Sequence, residues 1–131
     1  MGRLPQRAHH PIAILLAAGA LVAGADAHAG DPGKGKAVFN QQCSICHTAT
    51  RGGPTMIGPN LFGVVGRKAG SAPGYSYSPG VKAAGFAWTE DKLRAWVGGP
   101  SSVVPGNKMP FGGIKNPAQV DDLVSYLATL K

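Results

Sequence analysis

Cysteine is almost absent from this chain of 131 residues, occurring only at Cys43 and Cys46. Acid is scarce as well, with six Asp and Glu against 13 Lys and Arg, and charged residues of both signs make up 15% of the chain. That composition excludes a long charged disordered tail and a coiled coil. No apolar run beyond the first thirty residues is long enough to cross a bilayer, which excludes a multi-span membrane protein. No stretch alternates well enough to be a strand, and no internal repeat is visible. The basic excess, a formal +7, is not gathered into a dense run of the kind a DNA-binding arm shows.

Glycine and proline are plentiful, with 20 and 11 residues. A single short domain so rich in turn formers struggles to bury enough apolar surface alone, so part of the core is expected to come from elsewhere.

Residues 1–29 read as a secretory signal peptide. Arg3 and Arg7 open it, and an apolar run from Ile12 to about Ala25 follows. At about 14 residues the run falls short of the roughly 20 needed for a membrane-spanning helix. The small residues of Ala25-Asp26-Ala27 and Ala27-His28-Ala29 allow cleavage before His28 or before Gly30. A mature domain of residues 30–131 keeps 11 Lys and Arg against 5 Asp and Glu, a formal +6, so the basic excess belongs to the domain itself. The expected setting is an exported compartment, preferably the bacterial periplasm.

Asp31-Pro32 and Asn116-Pro117 are helix starts, with a capping side chain followed by a residue whose missing N–H costs nothing there. The first helix runs to about Gln42, with Gly35, Phe39 and Val38 on one side. The last carries Val120, Leu123, Val124 and Leu127 at i, i+3, i+4 and i+7. Between them Thr89-Glu90-Asp91 opens a shorter helix with Leu93, Trp96 and Val97 inward, closed by Gly98-Gly99-Pro100. Residues 48–87 and 98–115 read as loops, more structureless chain than a compact domain usually carries. The fold class is all-α.

Both cysteines lie in Cys43-Ser44-Ile45-Cys46-His47, the C-x-x-C-H signature of c-type haem attachment. Two thiols at that spacing on a helical turn reach the two vinyl groups of one porphyrin, and the adjacent imidazole points at the iron. A thioredoxin-like pair needs a βαβ pattern that is lacking here, zinc needs a second ligand pair, and a plain disulfide has no use for the histidine. One covalent haem also supplies the missing core.

The second axial ligand is expected at Met109, in a loop stiffened by Pro105 and Pro110 and far along the chain. Met56, nine residues beyond His47, reads as a packing residue.

Gly30-Asp31, the pentapeptide, Gly58-Pro59-Asn60-Leu61, Gly66-Arg67-Lys68, Ala72-Pro73-Gly74-Tyr75, Trp88, Pro105-Gly106-Asn107-Lys108-Met109 and Tyr126-Leu127 follow one another in order. In these motifs and their spacings the chain from Gly30 to Lys131 resembles the small class I c-type cytochromes, mitochondrial cytochrome c and its bacterial relatives. The resemblance implies terminal helices that cross, with Gly35 and Phe39 meeting Leu123 and Tyr126, and loops wrapped around one haem. It implies that Pro59 offers its carbonyl to His47 and that Arg67, Tyr77 and Trp88 lie near the haem propionates. Trp96 and Asn107 complete the cofactor-facing set.

The chain also departs from that pattern. Trp96 stands where a tyrosine close to the methionine sulfur is usual, and Val81 where a buried asparagine is. Gln42, Ser101, Ser102 and Asn116 occupy positions often basic, leaving Lys108 and Lys115, so docking on an acidic partner by steering is expected, weaker and less salt-sensitive than for a heavily lysine-ringed relative.

With His47 and Met109 both on iron no position stays open, so the expected role is a non-enzymatic, monomeric single-electron carrier. A quinol-oxidising complex or dehydrogenase is its expected donor, and an oxidase or reductase its acceptor. The alternatives are a dedicated haem subunit of one such complex and, further off, a gas sensor or peroxidase with a labile Met109. If haem completes the core, the chain with Cys43→Ala and Cys46→Ala together should lose its helical far-ultraviolet circular dichroism. A native helical spectrum from that variant would overturn the inference.

Overall fold

A proline opens four of the five helices. They are α1 (Pro32–Gln42), α2 (Pro79–Lys82), α3 (Glu90–Gly98), α4 (Pro100–Val103) and α5 (Pro117–Ala128). Only α3 begins without one, and there two acids, Glu90 and Asp91, stand in the first turn, the end of a helix at which negative charge is favoured. The structure is a computed structural model and describes residue 2 and residues 29–131. The expected leader therefore lies almost wholly outside the described residues. Among these no helix is long and apolar enough to cross a membrane. No strand forms either, the single β-contact being an isolated bridge between Lys68 and Ala87.

The caps of α1, α3 and α5 are of the kind the sequence predicts. The Asp31 carboxylate accepts from the N–H groups of Gly33 and Lys34 at 2.8 and 3.1 Å. Thr89 accepts from Lys92 at 3.1 Å, and Asn116 from Ala118 at 3.0 Å.

The most extensive helix contact joins α1 to α5. Gly35 makes it possible: a Cβ there would lie 1.9 Å from the Asp122 carbonyl oxygen and 2.8 Å from Tyr126 Cβ. The Phe39 and Tyr126 rings meet at 5.6 Å. Val120, Leu123, Val124 and Leu127 form the buried stripe of α5, with Leu123 and Val124 at 1% and 0% exposure. Each such side chain contributes roughly 1.5–3 kcal/mol by leaving water. Leu93 and Val97 of α3 join the same core, and the half-buried Arg94 bridges Asp91 and Asp121 at 2.9 and 3.0 Å, tying α3 to α5.

Two stretches expected to be loop contain a turn of helix each, α2 and α4. A four-residue helix buries too little for a 3.6-residue period to show. The usable signal for α2 was local, since Ser78 caps it by accepting from the Val81 N–H at 3.3 Å and Pro79 occupies its first position.

The remaining loops are pinned by backbone bonds. Gly66 N–H donates to Trp88 C=O at 2.8 Å, Trp88 N–H to Arg67 C=O at 2.8 Å and Ala69 N–H to Phe86 C=O at 2.9 Å. Gly63 N–H reaches the Leu130 carbonyl at 2.8 Å, and Ile114 N–H reaches that of Val97 at 2.8 Å.

Replacing Gly35 with Ala should destabilise the folded protein by about 2–3 kcal/mol, because overpacking against rigid backbone exceeds the gain in helix propensity of under about 1 kcal/mol. Gly112→Ala, whose Cβ would meet nothing within 4 Å, should stay within about 0.5 kcal/mol. Chemical denaturation of the two variants separates these outcomes, and equal stabilities would show that the α1–α5 contact can relax.

Candidate functional site

α1 ends where the chemistry begins. Cys43 is its C-cap, and the chain turns once more as the N–H groups of Cys46 and His47 donate to the Cys43 carbonyl at 3.0 and 2.9 Å. The Ser44 hydroxyl closes the helix by donating to Asn40 C=O at 2.7 Å. This turn brings two thiols and an imidazole onto one cleft. Both thiols are half-buried and unbridged. Burial, and after it the neighbouring Cys46, pushes the Cys43 thiol up to about 11, so at neutral pH it is a thiol and not a thiolate.

His47 is held from two sides. Its Nδ1 lies 2.7 Å from the Pro59 carbonyl oxygen. A carbonyl can only accept, so the ring carries its proton on Nδ1 and leaves the Nε2 lone pair free for a metal. Gly58 packs so closely on the ring that a Cβ there would come within 2.3 Å of Cε1. Burial pulls the imidazole below its ordinary value, the Pro59 bond acts against this, and the Arg67 charge adds to the lowering. The neutral form, which is the ligating form, is thereby favoured.

Met109 reaches the same cleft from the loop after α4. Asn107 builds that loop with its own side chain, Nδ2 donating to Val104 C=O at 3.0 Å and Oδ1 accepting from the Met109 N–H at 2.9 Å. Phe111 N–H closes the next turn onto Met109 C=O at 2.9 Å.

All ten residues singled out in the sequence, Cys43, Cys46, His47, Pro59, Arg67, Tyr77, Trp88, Trp96, Asn107 and Met109, line this one cleft. Leu61, Val64, Val81, Leu93, Val97, Leu123 and Leu127 make its walls apolar. Counted out to its open mouth, with the solvent standing in it, the cleft spans about 1230 Å³.

Several side chains have local duties besides. Arg67 donates through Nη1 to the carbonyls of Asn60 and Phe62 at 3.0 and 3.4 Å, and burial lowers its guanidinium from the ordinary value while Tyr77 acts the other way. The Tyr77 hydroxyl accepts from the Ala72 N–H at 3.0 Å. Trp96 meets Trp88 edge-on at 5.1 Å, and among the described residues no hydrogen bond joins it to Met109. Met56, expected to pack, is instead exposed, because the bond from its N–H to Gly58 C=O at 3.0 Å holds it on a surface turn. Ile45, Ile57 and Phe111 also line the cleft without having been foreseen, since nothing local distinguishes a cleft-lining apolar residue from any other.

These residues fit one haem of the c type. The fit rests on two thiols on a single turn, an imidazole with Nε2 unencumbered, a thioether on the same cleft, apolar walls, and a glycine where a side chain would displace the imidazole.

Comparison with known proteins agrees. The family model for cytochrome c matches residues 33–131. The chain is 47% identical over 122 residues to cytochrome c2 of Rhodomicrobium vannielii, covering 90% of this chain and 94% of that one. It is 43% identical to cytochrome c2 of Rhodopila globiformis, covering 78% and 95%, and 43% identical to cytochrome c of Chlamydomonas reinhardtii, covering 79% and 92%. Fold and site define an all-α protein of the c-type cytochrome class. The chain belongs to the cytochrome c family.

Removing the Asn107 side chain should loosen the methionine loop selectively. Asn107→Ala leaves the Met109 N–H without its partner, at a cost of about 1–3 kcal/mol. Amide hydrogen exchange should quicken over residues 104–111 while α1 and α5 keep their protection. Unchanged exchange in that loop would show that Pro105 and Pro110 suffice to hold it.

Proposed function

We propose that this chain is a soluble single-electron carrier holding one haem c through Cys43 and Cys46, with His47 and Met109 as the two axial ligands. The observation that carries the reading is that His47, its Nδ1 occupied by the Pro59 carbonyl, and Met109 line one apolar cleft. Bound haem c supplies a one-electron ferric/ferrous couple. The protein's residues set where that couple sits. Pro59 fixes the His47 tautomer and strengthens it as a donor. A thioether at Met109 is a soft, weakly basic partner that favours the ferrous state over what a second imidazole gives. The apolar walls disfavour the more highly charged oxidised centre and so act in the same direction. Trp88, Tyr77 and Arg67 are the polar groups available to the haem propionates.

With both axial positions taken, nothing is left for oxygen, peroxide or substrate, which supports a carrier over a catalyst. Residues 1–29 support export to the periplasm, with cleavage before His28 or Gly30. The carrier would work as a monomer between a quinol-oxidising complex or dehydrogenase and an oxidase or reductase.

The decisive measurement is the visible spectrum of the haem-loaded protein, reduced with dithionite, before and after carbon monoxide. The expected result is no change in the native protein and conversion to a ligand-bound spectrum in Met109→Ala. Carbon monoxide binding to the native protein would mean a labile sixth position and would bring the sensor and peroxidase readings forward.

A further inference from the structure

Gly30 is seated on α5 through residues that do not line the cleft. Its nitrogen donates to the Ser125 hydroxyl at 2.9 Å, and the next nitrogen, of Asp31, donates to Asp122 Oδ1 at 2.7 Å. The approach leaves no room for a side chain, since a Cβ at Gly30 would run into the Asp121 carbonyl and lie 2.5 Å from the Asp122 nitrogen. The seat ends there. Ala29 is exposed and, among the described residues, makes no hydrogen bond.

Acid gathers around the same nitrogen. The domain from Gly30 onward has five Asp and Glu, and three of them, Asp31, Asp121 and Asp122, adjoin Gly30 along the chain or across this contact. Asp121 already has a cation, Arg94 of α3, at 3.0 Å. Asp122 is half-buried, and among the described residues no ion pair reaches it. Lys34 of α1 is exposed and forms no ion pair there either. A neutral amide at Gly30 satisfies Ser125 but leaves Asp122 without a counter-charge, whereas an ammonium at the same atom serves both.

We propose that the leader is cut at the Ala29–Gly30 bond and that the Gly30 ammonium so released is a structural cation of the fold, held by Ser125 and paired with Asp122. This rests on the export reading and chooses between its two cuts. Water adds across the Ala29–Gly30 amide, leaving a carboxylate on Ala29 of the leader and an amine on Gly30 that takes up a proton. Ala27-His28-Ala29 supplies the small residues for that cut. A cut before His28 would place the charge two residues out, beyond the seat. Removal of the leader thus adds an ion pair between the first residue of the domain and its last helix, 95 residues along the chain.

The sign of the pH dependence follows. Carboxylates beside the ammonium hold its folded pKa above the unfolded value of about 8. The pair's stabilisation is therefore complete below about pH 8 and is lost as pH rises through the higher folded value.

The first readout is the intact mass of the haem-loaded protein recovered from a host expressing the full chain with its leader. A start at Gly30 is expected. A start at His28 or another leader residue would overturn the cut while leaving export standing, and an intact Met1 end would overturn the export reading as well. The second is chemical denaturation of the haem-loaded protein beginning at Gly30, before and after N-terminal transamination, which turns the α-amine into a carbonyl and spares the lysines. At about pH 6 the free amine should raise the folding equilibrium constant about two- to fivefold, and part of that gain should fade above about pH 8. Asp122→Asn should abolish the fading part. Equal stability of the two forms, or a pH-dependent gain that survives Asp122→Asn, would overturn the ion pair.

Discussion

The backbone of α1 lies against the backbone of α5 at Gly35, and the placement of the site descends from that contact. With only a hydrogen where a side chain would meet Asp122, the two helices approach closely enough for Phe39 and Tyr126 to touch and for Leu123 and Val124 to lose all but a trace of their exposure. The direction of α1 is then fixed, and so is the position of its last turn. Cys43, Cys46 and His47 are an extension of that turn, sharing the Cys43 carbonyl as acceptor. A shift of α1 along α5 would move all three together, away from the wall that Leu123 and Leu127 supply.

The rest of the cleft is assembled from loops, and here polar groups do the structural work that apolar burial does in the helices. Arg67 gathers the Asn60 and Phe62 carbonyls, Asn60 in turn donates to Thr50 and Gly53, and Asn107 ties Val104 to Met109. Glycine permits the close approaches. Gly113, at φ +98°, passes so near the Gly98 carbonyl that any side chain would collide with it. A chain rich in Gly and Pro is costly to order, and these bonds, with an apolar group in the cleft, offset that cost.

Much of this was legible in the sequence. The starts of α1, α3 and α5 were marked by Asp31-Pro32, Thr89-Glu90-Asp91 and Asn116-Pro117, and the inward residues of α5 by a clean helical period. The attachment pentapeptide is local, so it could be read without a fold. What escaped depended on tertiary neighbours. α2 and α4 are too short to show a period. The exposure of Met56 follows from a turn closed by Gly58, and the second duties of Arg67 and Asn107 depend on carbonyls that only the folded loops bring within reach. Trp96 was expected to face the cleft and does so, yet its edge-on contact with Trp88 could not be read from the spacing of α3 alone.

One consequence links the loop bonds to the electrostatics of the site. The cations nearest the cleft, Arg67 and Lys108, are the ones drawn into loop carbonyls, and all five acids of the described residues lie on or beside α1, α3 and α5 and not on the cleft wall. The bonds that order the loops therefore also fix where those two positive charges stand, because a hydrogen bond to a neutral carbonyl holds a cation in place without cancelling its charge. Inside, that leaves apolar walls around whichever centre the cleft holds, an environment that favours the state of lower charge. Outside, it leaves a mouth with two cations and no carboxylate, on a protein that is basic as a whole. Any approaching surface therefore meets charge of one sign at the mouth, held in position by the same loop bonds that shape the cleft.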